Sequence, residues 1–239
     1  MRTTISSGAT AVLANGTALG RGDIVADGTL QLKAAGGTLA NALSGAGEVT
    51  ATDASRVTLT GDNRAFNGTL STSADSTMTV SQASNLGTAR ITNAGTLVVD
   101  TAGAFTLENA ISGSGDLTKR GAGRLTAGAA SLAYTGKTSV EAGTLVFGDT
   151  AQPAVTLGGA GAGAVTVAAG AALIGDGTIN GAVVNSGSLG VFNALDNRRA
   201  AAPGSLTLAN GLTNSGTLYV AGGVVAVSYT HLTLPTKRI

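Results

Sequence analysis

A serine-protease type of mechanism needs an imidazole to take the nucleophile's proton, and this 239-residue chain contains a single histidine, His231. Cysteine is absent, which removes thiol nucleophiles, thiolate metal sites and disulfides. Carboxylates remain as candidates for acid–base work. Asp53, Asp62 and Asp75 are their nearest approach to a cluster, at irregular spacing along the chain. The segments Gly113-Ser114-Gly115-Asp116-Leu117 and Gly175-Asp176-Gly177 look like pieces of a calcium-binding repeat. That motif needs tandem copies every nine residues or so to stack carboxylates around ions, and without tandem copies these segments read as turns. The expectation is a chain that is not an enzyme, with no cofactor and no bound metal.

One tripeptide carries a different kind of chemistry. Arg21-Gly22-Asp23 is the signal that integrins recognise, and it lies between Thr17-Ala18-Leu19 and Ile24-Val25, where a turn is expected. A chain of this composition contains the tripeptide by chance about once in sixteen. A plain turn is therefore the default reading, and a receptor contact through Arg21, Gly22 and Asp23 is the sharper one.

The elements that must position such a turn are short strands. Hydrophobic residues make up 43% of the chain, enough to exclude a disordered polar tract. They are mostly Ala, Val and Leu, with four Phe, three Tyr and no Trp. Thirty-seven Gly stand beside three Pro, without the three-residue period of collagen. Fourteen basic and thirteen acidic residues are scattered without blocks of one sign. That balance gives no footprint for nucleic acid, and stacking aromatics are nearly absent. No apolar stretch approaches the roughly 20 residues that span a bilayer. The start, MRTTISSGATAV, shows no continuous apolar signal-peptide region; targeting lies upstream of a fragment, or there is none.

The recurring phrase is Gly-Thr-Leu followed by alternating apolar residues, as at Gly28-Thr29-Leu30, Gly68-Thr69-Leu70, Gly95-Thr96-Leu97 and Gly143-Thr144-Leu145. Gly turns the chain cheaply, Thr begins an extended segment, and Leu is the first side chain to point inward. No window shows apolar residues at helical spacing among helix formers. An antiparallel sandwich usually needs bulkier core residues across about 10 Å between sheets. The small inward residues suit an all-β, right-handed parallel β-helix better.

The chain also repeats itself. NALSGAGEVT at 41–50 returns as NAISGSGDLT at 109–118, and the same offset relates Arg56-Val57-Thr58 to Arg124-Leu125-Thr126 and Phe66 to Tyr134. A stacked unit makes a surface or a spacer. At about 22 residues per coil, this repeat predicts three coils, and the chain about ten, a rod near 50 Å long. Asn41, Asn109, Asn180, Asn185, Asn210 and Asn214 fall at turns, where stacked side chains form ladders. Phe66 and Tyr134 are expected to stack inside or cap the same corner.

The domain reading is one β-helical segment, 1–227. Its 41–150 part contains the two related repeats, and 151–227 continues with further coils and a loop at 191–201. The tail 228–239, SYTHLTLPTKRI, has no Gly or Ala. It resembles translated sequencing-adapter read-through and is expected to be non-native, which leaves the β-helix truncated at its C-terminal end. Without it the chain has twelve basic and thirteen acidic residues, a net of −1.

Within 112–148 the residues Gly113, Gly115, Leu117, Lys119, Gly121, Gly123, Leu125, Tyr134, Gly136, Gly143, Thr144 and Leu145 resemble the autotransporter-associated β-strand repeat. The stretch 165–227 is similar to the C-terminal part of autotransporter passengers, apart from an insertion at 191–201. Together the two matches cover about half of 1–227. The resemblance implies a passenger of type V secretion in a Gram-negative bacterium, exported through the periplasm and folded as a β-helix at the cell surface or outside it. It further implies a separate C-terminal β-barrel of the same protein. Expected roles are adhesion, aggregation or display, with host-cell or neighbouring-cell receptors, or copies of itself, as partners. The alternatives are a non-catalytic portion of a β-helical polysaccharide lyase or hydrolase, and a pure spacer for an absent effector domain.

Overall fold

Short apolar-alternating segments that end at glycine corners bury their inner side chains only by stacking on one another. The computed structural model describes residues 2–127, 132–148, 155–191, 204–220 and 224–227. Among these are 28 strands and one short 3-10 helix, Ala83–Asn85. All the strand pairs are parallel. The result is a β-solenoid of about ten coils.

Three faces run along it. Face A begins with Thr3–Ile5, Ile24–Ala26, Leu43–Gly45 and Ala65–Phe66, and later holds Phe105–Leu107, Arg124–Ala127 and Thr144–Phe147. Between these two sets the 3-10 helix takes the face's place: Asn63 N donates to Ser84 O, and the helix touches Phe105–Leu107. Face B starts at Thr10–Asn15 and climbs through Glu48–Thr52, Thr69–Thr72, Arg90–Asn93 and Ile111–Ser112. It continues through the bridge Leu132↔Leu157 to Gly177–Ile179 and Ser205–Leu208. Face C includes Arg56–Leu59, Thr77–Val80, Thr96–Asp100, Asp116–Arg120 and Thr138–Val140. The long strand Thr29–Leu39 rounds the corner, pairing with face B through 29–33 and with face C through 36–39.

The Gly-Thr-Leu phrase does what its chemistry suggests. Leu30, Leu70, Leu97 and Leu145 are buried, and each preceding Thr is partly exposed. On face B, Leu30, Val49, Leu70, Ile91 and Ile111 stand one above the next. Burying each such side chain contributes about 1.5–3 kcal/mol.

The sequence repeat does not mark a whole number of coils. Val49 pairs with Leu70, Leu70 with Ile91 and Ile91 with Ile111, so three coils from Val49 end at Ile111. Its sequence counterpart is Leu117, one strand further on and on face C, where it stacks above Leu97. The same step carries Leu43 on face A to Ile111 on face B, and Val57 on face C to Leu125 on face A. The repeat thus equals three coils plus one face, because a coil here is shorter than 22 residues: Thr29 pairs with Glu48, and Glu48 with Thr69. Phe66 and Tyr134 are both fully buried, yet they do not share a corner. Phe66 lies on face A, whereas Tyr134 follows the face-B bridge at Leu132.

One corner carries strain. Asp53 and Ala54 both have left-handed backbones, with φ of 54° and 58°, where the later copy has Gly121 at φ 70°. A left-handed backbone costs an alanine roughly 1–2 kcal/mol. Replacement by glycine removes that cost at an entropic penalty of about 0.5–1 kcal/mol. Ala54→Gly is therefore expected to raise stability by about 0.5–1 kcal/mol, read as an upward shift of the urea midpoint with an unchanged slope.

Candidate functional site: a clamped turn at the first coil

The chain passes from face B to face A in the first coil without forming a face-C strand. In its place stands the turn 16–22, which contains Arg21 and Gly22 and is followed by Asp23. It begins where Asn15 pairs with Gly36. Gly16 then lies against the strand above: a Cβ there would overlap the Thr38 carbonyl. Leu19, half-buried, packs against the apolar core from this turn. The turn so covers the lower edge of face C.

Asn41, itself buried, reaches down from the next coil to hold the turn. Its Nδ2 donates to Gly20 O at 3.0 Å and to Gly22 O at 2.5 Å. Thr3 N donates to Asp23 O at 2.8 Å, fixing the other end. With Gly20 and Gly22 held from behind, the Arg21 and Asp23 side chains remain exposed on either side of Gly22. Beside them opens a depression of about 530 Å³ whose wall includes Gly16, Thr17, Arg21, Thr38 and Asn41. The arrangement presents a guanidinium and a carboxylate on a braced backbone.

The same clamp recurs at other corners. Asn109 Nδ2 donates to Gly87 O at 3.2 Å and Ala89 O at 2.7 Å, and Asn180 Nδ2 donates to Gly158 O at 2.9 Å. Asn210 donates to Asn180 O. These side chains bond the coil below, and of the six asparagines Asn185 and Asn214 form a side-chain ladder, at 2.7 Å. The residue types place these asparagines at turns, and the structure adds that Asn41 and Asn109 grip carbonyls of the preceding coil.

The three carboxylates considered for acid–base work are not brought together. Asp53 and Asp75 lie at the corner between faces B and C, and Asp62 lies at the corner between faces C and A. Asp53 pairs with Lys33 at 3.6 Å and Asp62 with Arg64 at 3.0 Å, all well exposed. The two calcium-like segments spend their carboxylates on the chain: Asp116 Oδ1 accepts from Lys137 N at 2.8 Å, and Asp176 Oδ1 from Ser205 N at 2.9 Å. Of the repeat-motif positions, Leu117, Leu125, Tyr134 and Leu145 are buried. Gly113, Gly121 and Gly143 have positive φ. Gly115, Gly123 and Gly136 each lie too close to a carbonyl of the coil below to carry a Cβ, and Thr144 faces outward beside Leu145. Val191 ends the strand Ser188–Val191; the rest of the expected loop at 191–201, and the tail 228–239 with His231, lie outside the described residues.

No protein-family profile matches the chain, and no solved structure matches it. Over 66 residues, 28% of its length, it is 48% identical to the uncharacterized lipoprotein YdeK of Escherichia coli (strain K12). That match spans 5% of the relative's own length.

Proposed function

We propose that this chain is part of an autotransporter passenger, a β-helical rod held at the bacterial surface or released outside the cell, acting in adhesion, aggregation or display. The observation that carries the reading is the axial stacking of parallel strands on three faces, which lengthens a surface coil by coil. Two sequence stretches, 112–148 and 165–227, support it by their passenger-like patterns. The lipoprotein description of the relative supports a place in the cell envelope. A C-terminal β-barrel of the same protein would complete the secretion route. The rod is read as non-catalytic, and turnover of acidic glycans by the full-length protein would overturn that.

Surface labelling of intact cells of the source bacterium tests the reading directly. An antibody to the rod should bind before lysis, and labelling that appears only after lysis sinks the proposal. Contact with animal cells would run through Arg21, Gly22 and Asp23. Purified rod coated on beads should attach to integrin-bearing cells, and Asp23→Glu should lower attachment about tenfold, equivalent to about 1.4 kcal/mol of lost binding. Unchanged attachment would make the tripeptide an ordinary turn.

A further inference from the structure

The inner column of face C runs Val80, Val99, Lys119, Val140, Val167. A lysine thus occupies a core position between two valines, and it is 0% exposed. Its ammonium has three donors, and it meets three carbonyls: Arg120 O at 2.6 Å, Gly121 O at 2.7 Å and Ala142 O at 3.1 Å. The first two belong to its own corner, and the third to the same corner one coil higher. Burial pulls the Lys119 pKa below the ordinary lysine value, and the Asp100 carboxylate raises it back in part.

We propose that Lys119 is a register lock between the coil carrying Asp116–Arg120 and the coil carrying Thr138–Val140. A slip of one residue in a strand turns every side chain to the other face, so burial alone forbids it. A slip of two residues keeps the faces. Between these two strands it would set Leu117 against Val140, one apolar side chain against another. Such a slip would move the ammonium away from Ala142 O and leave a buried charge short of a partner, a strongly disfavoured state. Buried polar groups that fix register at some cost in stability are known from coiled coils. Lys119 supplies here what the apolar pattern leaves open.

The chain has no cysteine, so reporter pairs can be introduced on a clean background. Thr118 and Ser139 are partners across the two strands, about 4.8 Å apart at Cα, within disulfide range. Thr118 and Glu141 meet only after a two-residue slip. With Lys119 present, oxidation should join the Thr118→Cys/Ser139→Cys pair and leave the Thr118→Cys/Glu141→Cys pair near background. Adding Lys119→Met should raise the slipped cross-link about tenfold, which corresponds to about 1.4 kcal/mol of register preference. Lys119→Arg, which keeps a cation at the corner, should hold the slipped pair near background. A slipped cross-link that stays at background in Lys119→Met overturns the lock. Equal release by Lys119→Arg overturns it too, since charge would then not decide the register. Loss of the β-sheet circular dichroism signal in Lys119→Met would show a general stability role instead and likewise overturn it.

Discussion

Gly68→Ala is expected to destabilise the rod by about 3 kcal/mol, at the upper end of what overpacking a rigid site costs. Gly28, Gly47 and Gly68 stand above one another at the corner leading into face B. A Cβ on Gly47 would overlap Gly28 O, and one on Gly68 would overlap Gly47 O. The obstacle is backbone, and it is pinned. Thr69 N donates to Gly47 O at 2.9 Å, and Arg90 N donates to Gly68 O at 3.0 Å. Moving the carbonyl aside would break a bond that ties two coils together. Gly103, with open space around its Cβ position, is the control: Gly103→Ala should stay within about 0.5 kcal/mol of the parent. In a stacked array each coil leans on its neighbours. The loss should therefore show as faster amide exchange on face B between Glu48 and Asn93, with the last coils little changed. Equal urea midpoints for the two variants would mean that the corner can relax.

Those corners show how much of the fold is legible in the residues. Leu30, Leu70 and Leu97 point inward as the Gly-Thr-Leu phrase implies, because Gly fixes the turn and Thr the first outward position. The repeat at 41–50 and 109–118 shows stacking but conceals which face a strand occupies. A strand with its turn buries the same alternate residues on any of the three faces, so Leu43 and Ile111 look alike while lying on different ones. Lys119 was readable in principle, since it shares the parity of Leu117 and must point the same way along a strand. The general rule that lysines stay outside hides it. The Arg21-Gly22-Asp23 turn was visible from its flanks, but its bracing by Asn41 was not. That contact joins residues about twenty positions apart, and no local pattern marks it.

Tyr134 should be the side chain whose removal is felt most. It is fully buried, and truncating a buried aromatic to alanine costs about 3–5 kcal/mol, the loss expected for Tyr134→Ala in urea unfolding. Its hydroxyl adds a second, separable effect. The phenol bonds the Thr138 hydroxyl. Burial raises its pKa far above the ordinary value near 10; the Thr138 bond lowers it somewhat, and the Asp116 carboxylate adds a smaller upward push. Below pH 10 the phenol keeps its proton in both folded and unfolded chains and gives no pH dependence. Above pH 10 the unfolded chain loses the proton while the folded one retains it. Stability from this group then falls, by up to about 1.4 kcal/mol per pH unit. Lys119 acts in the opposite sense. Its lowered pKa lets the folded chain lose a proton before the unfolded one, so its contribution rises with pH up to about 10.5. Tyr134→Phe should cost about 1 kcal/mol at neutral pH, the net worth of one hydrogen bond, and should flatten the decline above pH 10. Lys119→Met should steepen the approach to that decline. Parallel stability curves for the parent and Tyr134→Phe between pH 9 and 11 would show that the phenol is not held protonated by its burial.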